Sequence, residues 1–189
     1  STNGLLGASV TVWGTSAKPI TRKGASPGDA ILVTGSLGGS RRGNHYLFSP
    51  RIEEGCWLAE QPCVHSMIDL SDGIGKDLPE LVPPGCTAAL WCDRLPASED
   101  AVILATVSGR TVQDHILDDG EDVELLFTID GSDSTDLFTE SWRRRFTCEL
   151  TEIGTITEYE GSAGEHIVTD ARTGCPIGTD SGYEHLRKT

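Results

Sequence analysis

The sequence predicts an α/β fold, in which a layered, mixed sheet is flanked by helices. The chain has 189 residues, of which 37% are hydrophobic, and a chain of this size buries about 70% of the surface that it exposes when unfolded. Short apolar segments with strand character alternate along it with segments of helical periodicity. None of the apolar segments approaches the ~20 residues that a membrane-spanning helix needs.

The first expected element is a strand over residues 7–15, where Val10 and Val12 lie on either side of a polar residue. No earlier element of the chain could pair with this strand. We therefore interpret residues 1–17 as the terminal strand of a preceding domain, and residues 18–189 as the α/β domain itself.

The α/β domain is expected to begin with a short strand and two helices. Residues 30–34, with the sequence AILVT, form a buried strand, and the glycine-rich segment 35–39 leads into a helix that extends through Phe48. Pro50 occupies the position that proline favours at the start of a helix. This second helix is expected to face the core with Ile52, Cys56, Trp57 and Ala59.

The later elements continue the alternation. Further strands are expected over residues 64–68, 86–92, 123–129, 149–156 and 167–169. Further helices are expected over residues 74–82, 97–107, 111–117 and 134–146. Ser98 is the expected N-cap of the helix that follows it.

The charge and the cysteine content of the chain restrict the range of functions that it could have. The chain carries 15 lysines and arginines against 29 acidic residues, a net charge of −14, which argues against nucleic-acid or anionic-membrane binding because both need clustered cations. The six cysteines lack the C-x-x-C spacing of zinc and redox sites. We expect reduced, buried thiols in a cytoplasmic protein; disulfide bridges in a secreted protein are the alternative.

The most informative segment is the strand-to-helix corner MIDLSDG at residues 67–73. Asp69 ends the strand, and Asp72 begins the helix, so both carboxylates and the Ser71 hydroxyl can project from one corner. Two carboxylates supply hard oxygen ligands for Mg²⁺, and free N–H groups at a helix start attract phosphate. The alternative is a plain helix cap beside a solvated turn.

A second acidic segment, residues 118–124, runs into the strand over 123–129. Acidic runs usually form solvated loops, but this one enters a buried strand. At least one carboxylate should therefore lie at the sheet edge and need a cation or backbone N–H groups as its partner.

The other motifs say less about function. The glycine-rich segment 35–40 has neither the P-loop nor the dinucleotide-binding spacing, the histidines lack zinc-enzyme spacing, and Ser71 is not in a nucleophile elbow. Tyr183 lies near an otherwise polar chain end, where an aromatic side chain could stack on a ligand.

Six short motifs, in order and at similar spacing, resemble the later two-thirds of the thiamine-monophosphate kinase family. They are RxGAxPGD at 22–29, VTGxLG at 33–38, PR at 50–51, MIDLSDG at 67–73, GEDxELLFT at 120–128 and GYEH at 182–185. The family belongs to the aminoimidazole-ribonucleotide synthetase-like superfamily. The resemblance implies an N-terminal nucleotide-binding domain, absent from this chain, followed by a C-terminal α/β domain.

The resemblance also implies an activity and roles for residues. In this family ATP phosphorylates thiamine monophosphate to thiamine diphosphate with the aid of Mg²⁺, at a homodimer interface. By similarity, Asp69 and Asp72 would bind Mg²⁺, Ser71 would contact ATP, and Glu121 and Tyr183 would contact thiamine monophosphate. The fragment alone would be inactive, because most of the nucleotide site would belong to the missing domain.

Departures from the family pattern keep two alternatives open. Asp119 stands where the family has a small residue, and Val123 stands where it has an aromatic one. The alternatives are a non-catalytic binding or scaffold domain of the same superfamily, and a related phosphotransferase with another small phosphorylated substrate.

Overall fold

A six-stranded mixed sheet forms the centre of the molecule. The computed structural model describes residues 9–132, 135–159 and 168–177. The strands are β1 (Ala30–Thr34), β2 (Val64–Asp69), β3 (Cys86–Leu90), β4 (Leu125–Ile129), β5 (Leu150–Glu158) and β6 (Val168–Asp170). They lie in the order β2-β4-β1-β5-β3-β6. Among these described strands, β3 and β6 are parallel neighbours and the other four pairs are antiparallel.

Helices cover both faces of this sheet. They are α1 (Asn44–Leu47), α2 (Ile52–Leu58), α3 (Ile74–Asp77), α4 (Glu99–Ser108), α5 (Val112–Asp118) and α6 (Thr135–Arg145), with short 3-10 turns at Ser40–Arg42, Leu78–Leu81 and Cys92–Arg94. All five residues of β1 are buried because alternate side chains enter opposite cores. Ile31 and Val33 pack with residues of α3 and α5, whereas Ala30 and Leu32 pack with residues of α2 and α6. The predicted α/β class, a layered mixed sheet with flanking helices, is confirmed.

The expected strand over residues 7–15 is wrong in the part that the structure describes. Residues 9–16 have no regular secondary structure, and the side chains of Val10, Val12 and Trp13 are 86–91% exposed. An isolated strand is not stable without a paired neighbour, so alternation alone was insufficient evidence here.

Two expected helices are shorter than predicted, each for a local reason. The helix through Phe48 is divided into a 3-10 turn and α1 by Gly43, whose φ of 117° is left-handed. The helix over 74–82 changes to a 3-10 turn after Asp77, where Pro79 has no N–H to donate.

The expected inward face of α2 is partly wrong. Ile52 is 67% exposed and Cys56 is also exposed, while Leu58 is fully buried. Trp57 packs against the aromatic side chains of α6. The centre of its ring lies 5.4 Å from that of Phe138 and 5.8 Å from that of Trp142. A seven-residue helix is too short for apolar periodicity to identify its buried face.

Ser98 caps α4 as expected, since its Oγ accepts the Ala101 N–H at 3.0 Å. All six cysteines are free thiols, but the expected burial is wrong, since Cys56 and Cys175 are exposed and the other four are half-buried. Within the ranges given above, no helix combines the length and the apolar character that a membrane crossing requires.

Candidate functional site

Main-chain hydrogen bonds hold together the strand-to-helix corner, residues 67–73, and the second acidic segment, residues 118–124, which we call the acidic loop. β2 and β4 pair until Asp69 lies opposite Leu125. Beyond that point Leu70 donates to the Glu124 carbonyl at 2.8 Å, and the N–H groups of Val123 and Glu121 donate to the carbonyls of Leu70 and Ser71 at 2.9 and 2.8 Å. The two acidic segments singled out in the sequence therefore form one surface.

Three predicted site residues line one cavity at this corner. Asp69, Ser71 and Asp72 border a cavity of about 680 Å³. Its wall also contains Arg22, Ile68, Lys76, Asp77, Pro79 and Glu80. Four acidic and two basic residues line this space, and one of the basic residues, Arg22, is paired with Glu80 at 3.4 Å. The excess of negative charge favours a cationic ligand.

The backbone N–H groups of the corner are not available to a phosphate as the sequence suggested. Asp77 Oδ2 accepts hydrogen bonds from the N–H groups of Ser71, Asp72 and Gly73 at 2.9, 2.9 and 3.1 Å. Three consecutive N–H groups that converge on one oxygen form an anion site, and here a side chain of the chain itself fills it.

Asp77 is the residue of this corner that the sequence reasoning missed. Burial raises the pKa of its carboxyl group, and the hydrogen bonds from the corner oppose this effect. The available signal was its position, four residues after Gly73 and beside the core residues Ile74 and Leu78. A carboxylate there needs nearby donors.

The oxygen atoms at the corner fit Mg²⁺. Mg²⁺ prefers oxygen ligands, retains several waters, and is usually bound through one or two carboxylates together with substrate phosphates. Asp69 is exposed and Asp72 is half-buried on the same cavity, so the chain offers two such carboxylates. Among the described residues no group of three histidine, cysteine or acidic side chains could enclose a metal ion. The two carboxylates could therefore contribute ligands to such an ion, but they could not enclose it.

Glu121 lies beside this corner in a strained backbone conformation. Its φ is 54° and that of Val123 is 55°, which is uncommon for residues with a side chain and costs about 1–3 kcal/mol each. This strain delays the start of β4 to Leu125 and leaves Glu121 half-buried while Asp122 is fully buried. Tyr183, the other predicted substrate residue, lies outside the described residues.

The acidic loop satisfies the expectation that a carboxylate at the sheet edge needs a partner. Asp122 is 1% exposed, and its Oδ1 accepts the Gly38 N–H at 2.9 Å. Its Oδ2 is buried without a hydrogen-bond partner in the described part of the chain. Burial raises the pKa of Asp122 to about 7, although the N–H groups of Gly38 and Gly39 oppose the shift.

Glu124 has a cation as its partner. Arg51 donates to Glu124 Oε2 from Nε at 2.7 Å and to Oε1 from Nη2 at 2.6 Å, and this pairing raises the Arg51 pKa further. The Thr34 hydroxyl donates to Oε2 at 2.6 Å. A Cβ on Gly35 would collide with this carboxylate. Three of the six motifs that resemble the kinase family, those at 33–38, 50–51 and 120–128, therefore meet at one bidentate ion pair.

Asp119, the charged departure from the family pattern, does not add charge to the cavity. It is 3% exposed. Its carboxylate lies 2.6 Å from His115 Nδ1, 3.1 Å from Arg110 Nη1 and 3.6 Å from Arg41 Nη1. Its charge is thus paired inside the fold.

The chain is similar in sequence to curated thiamine-monophosphate kinases. A thiamine-monophosphate kinase from Rhodopirellula baltica is 39% identical over 141 residues, which cover 74% of this chain and 45% of that protein. A thiamine-monophosphate kinase from Salmonella typhimurium is 32% identical over 98% of this chain and 62% of that protein. The chain thus spans about half the length of the curated relatives that it matches. No family model matches it.

Solved structures show the same fold. Thiamine monophosphate kinase from Aquifex aeolicus superposes with a TM-score of 0.65 at 24% identity, over 84% of this chain and 54% of that one. AaThiL complexed with AMPPCP and TMP gives a TM-score of 0.62 at 24% identity, over 88% and 54% of the two chains. The hydrogenase maturation protein HypE in complex with ATP gives 0.61 at 18% identity, over 89% and 54%.

Proposed function

The chain is homologous to thiamine-monophosphate kinases, and we propose that it is the C-terminal domain of an enzyme that phosphorylates thiamine monophosphate to thiamine diphosphate with ATP and Mg²⁺. The observation that carries this proposal is the acidic cavity shared by Asp69, Ser71 and Asp72. The proposal is supported by the names of the relatives and by the fold-neighbour AaThiL, which was complexed with AMPPCP and TMP.

The residue types suit transfer between two phosphates. The attacking oxygen of a phosphomonoester is largely ionised at neutral pH because its second pKa is near 6, so no strong general base is required. The main obstacle is repulsion between two anions, and alignment and charge neutralisation overcome it. A bound Mg²⁺ would supply that neutralisation.

In this proposal the chain's residues bind and orient. Asp69 and Asp72 hold the metal ion, and Ser71, exposed on the same cavity, contacts ATP. Glu121, fixed to the Ser71 carbonyl through its N–H, and Tyr183 contact thiamine monophosphate. An acidic side chain and an aromatic face suit the cationic thiazolium ring.

The remaining assignments concern the whole protein. We propose a cytoplasmic homodimer in which the N-terminal domain completes the nucleotide site, with residues 1–17 as the end of that domain. The exposed Val10, Val12 and Trp13 are consistent with a segment that packs outside the described residues. The isolated fragment should bind Mg²⁺ and nucleotide weakly and should not turn over.

A direct assay of the full-length protein tests this function. We expect ADP and thiamine diphosphate to form from ATP and thiamine monophosphate only when Mg²⁺ is present. A panel of other small phosphorylated substrates distinguishes a related phosphotransferase. Calorimetry that detects no metal-dependent binding of ATP or thiamine monophosphate would support the scaffold alternative, and turnover by the fragment alone would refute its incompleteness.

A further inference from the structure

Asp77 is buried behind the predicted magnesium ligands. Only 6% of the residue is exposed, although it contributes to the cavity wall. One oxygen, Oδ2, accepts three N–H groups at 2.9–3.1 Å, and they belong to consecutive residues, Ser71, Asp72 and Gly73. This carboxylate is therefore bound to the backbone of the corner itself.

The corner needs an internal acceptor. N–H groups that are shielded from water and have no partner cost free energy comparable to a lost hydrogen bond. Here one buried and two partly buried N–H groups converge within one turn. Hydrogen bonds to an ionised acceptor are about twice as strong as neutral ones. The Asp77 carboxylate thus stabilises a backbone conformation that would otherwise need a bound anion.

The other side of the corner is fixed by the acidic loop. The Ser71 carbonyl accepts the Glu121 N–H, and the Leu70 carbonyl accepts the Val123 N–H. Gly73 has a φ of 97°, and a Cβ there would lie 2.7 Å from the Leu117 carbonyl oxygen. The backbone between Asp69 and Gly73 is consequently held from both sides before any ligand arrives.

We propose that Asp77 is a positioning residue that preorganises the magnesium site: its carboxylate takes the place that a phosphate could occupy on the N–H groups of Ser71, Asp72 and Gly73. This inference rests on the proposed function, because it assigns Asp77 a role towards Asp69 and Asp72. It has two consequences. The nucleotide's phosphates reach this corner through the metal ion and side chains, and removal of Asp77 weakens metal binding without removing a ligand.

The test uses the full-length protein with Asp77→Ala and Asp77→Asn. Mn²⁺ binding, followed by electron paramagnetic resonance, is the first readout, and the Mg²⁺ concentration that gives half-maximal turnover is the second. Loss of a residue that orients metal ligands typically costs 10–100-fold in metal affinity. We expect Asp77→Ala to weaken Mn²⁺ binding at least about tenfold, and Asp77→Asn, which keeps one acceptor oxygen, to lose less.

Asp170→Ala is the matched control. Asp170 Oδ1 also accepts two backbone N–H groups, those of Arg172 and Thr173, at 2.9 and 2.7 Å, but it lies at the end of β6. The Asp170→Ala substitution should reduce the stability of the protein without changing its Mn²⁺ affinity or the Mg²⁺ dependence of its turnover. If Asp77→Ala does not fold, Asp77→Asn provides the comparison.

Two outcomes would overturn the proposal. One is a folded Asp77 variant with wild-type Mn²⁺ affinity, and the other is an equal loss of Mn²⁺ affinity in Asp170→Ala, which would show that any lost carboxylate–backbone contact has the same effect. Wild-type protein that binds Mn²⁺ but does not phosphorylate thiamine monophosphate would contradict the proposed function alone, since the Mn²⁺ comparison still tests Asp77.

Discussion

At the scale of single residues, the carboxylates of the acidic loop have different environments although they are adjacent in sequence. Asp119 and Glu124 are paired with cations, and Glu121 is half-buried beside the corner. Asp122 is buried, and one of its oxygens has no hydrogen-bond partner among the residues that the structure describes. The sequence predicted that one of them needs a partner, but not which one. The choice depends on Arg51 and Gly38, which are distant in sequence and are brought close by β1 and its neighbours.

The raised pKa of Asp122 gives stability a pH dependence. With a pKa of about 7 in the folded state and about 3.9 when unfolded, the folded protein binds the additional proton between these values. Its contribution to the free energy of unfolding is therefore greatest at low pH and is lost as pH rises towards about 7. The nearby negative charges of Glu124 and Asp119 also raise the Asp122 pKa.

Asp122→Asn removes this titration while keeping the shape and one acceptor oxygen. We expect the stability of the variant relative to wild type to increase as pH rises from about 4 to about 7, by at most about 1.4 kcal/mol per pH unit. Urea unfolding of both proteins at several pH values measures the difference. A difference that does not vary with pH would show that Asp122 is ionised throughout.

The Arg51–Glu124 pair should contribute far more to stability than an exposed pair. Arg51→Leu leaves the buried Glu124 carboxylate with the Thr34 hydroxyl as its remaining side-chain donor, and we expect a loss of about 3 kcal/mol. Arg144→Leu is the matched control, because Arg144 pairs with Glu140 on the exposed surface of α6, where about 0.5 kcal/mol or less is expected. Equal losses in urea unfolding would contradict this account.

At the scale of elements, apolar patterns predicted most strands and helices, but not where strain or pairing ends them. The strand over residues 30–34 is confirmed to the residue. β4 begins two residues later than expected because of the positive φ values at Glu121 and Val123. The strand over 7–15 failed because pairing is a long-range property that alternation within one segment cannot reveal.

The close contact between the corner and the last turn of α5 can be tested at Gly73. A Cβ at Gly73 would lie 2.7 Å from the Leu117 carbonyl oxygen, whereas one at Gly28, with a nearly identical φ of 95°, would have open space around it. We expect Gly28→Ala to lose about 1–2 kcal/mol from backbone strain. Gly73→Ala should lose a further 1–3 kcal/mol, roughly, from steric overlap. Thermal unfolding of the pair measures this, and equal losses would show that the corner does not pack closely on Leu117.

At the scale of the whole molecule, the corner and its cavity lie in a chain that matches only part of the length of its curated relatives. It spans 45% and 62% of two curated relatives, and the described residues supply two exposed or half-buried carboxylates rather than a complete metal site. The sequence predicted the residues of this corner because they are contiguous. It did not predict the sheet order β2-β4-β1-β5-β3-β6, which brings the Gly-Glu-Asp loop beside them, nor the carboxylate of Asp77 within the corner.

The most direct test compares the Mg²⁺ dependence of turnover in full-length wild type, Asp72→Asn and Asp93→Asn. Asp93 is an exposed acidic residue in the Cys92–Arg94 turn, on the wall of a different cavity, and its variant should match wild type. We expect Asp72→Asn to lower kcat about 10–100-fold and to require more Mg²⁺, because the substitution removes a proposed metal ligand. Wild-type turnover and Mg²⁺ dependence in Asp72→Asn would mean that the side chain only supports the turn before α3.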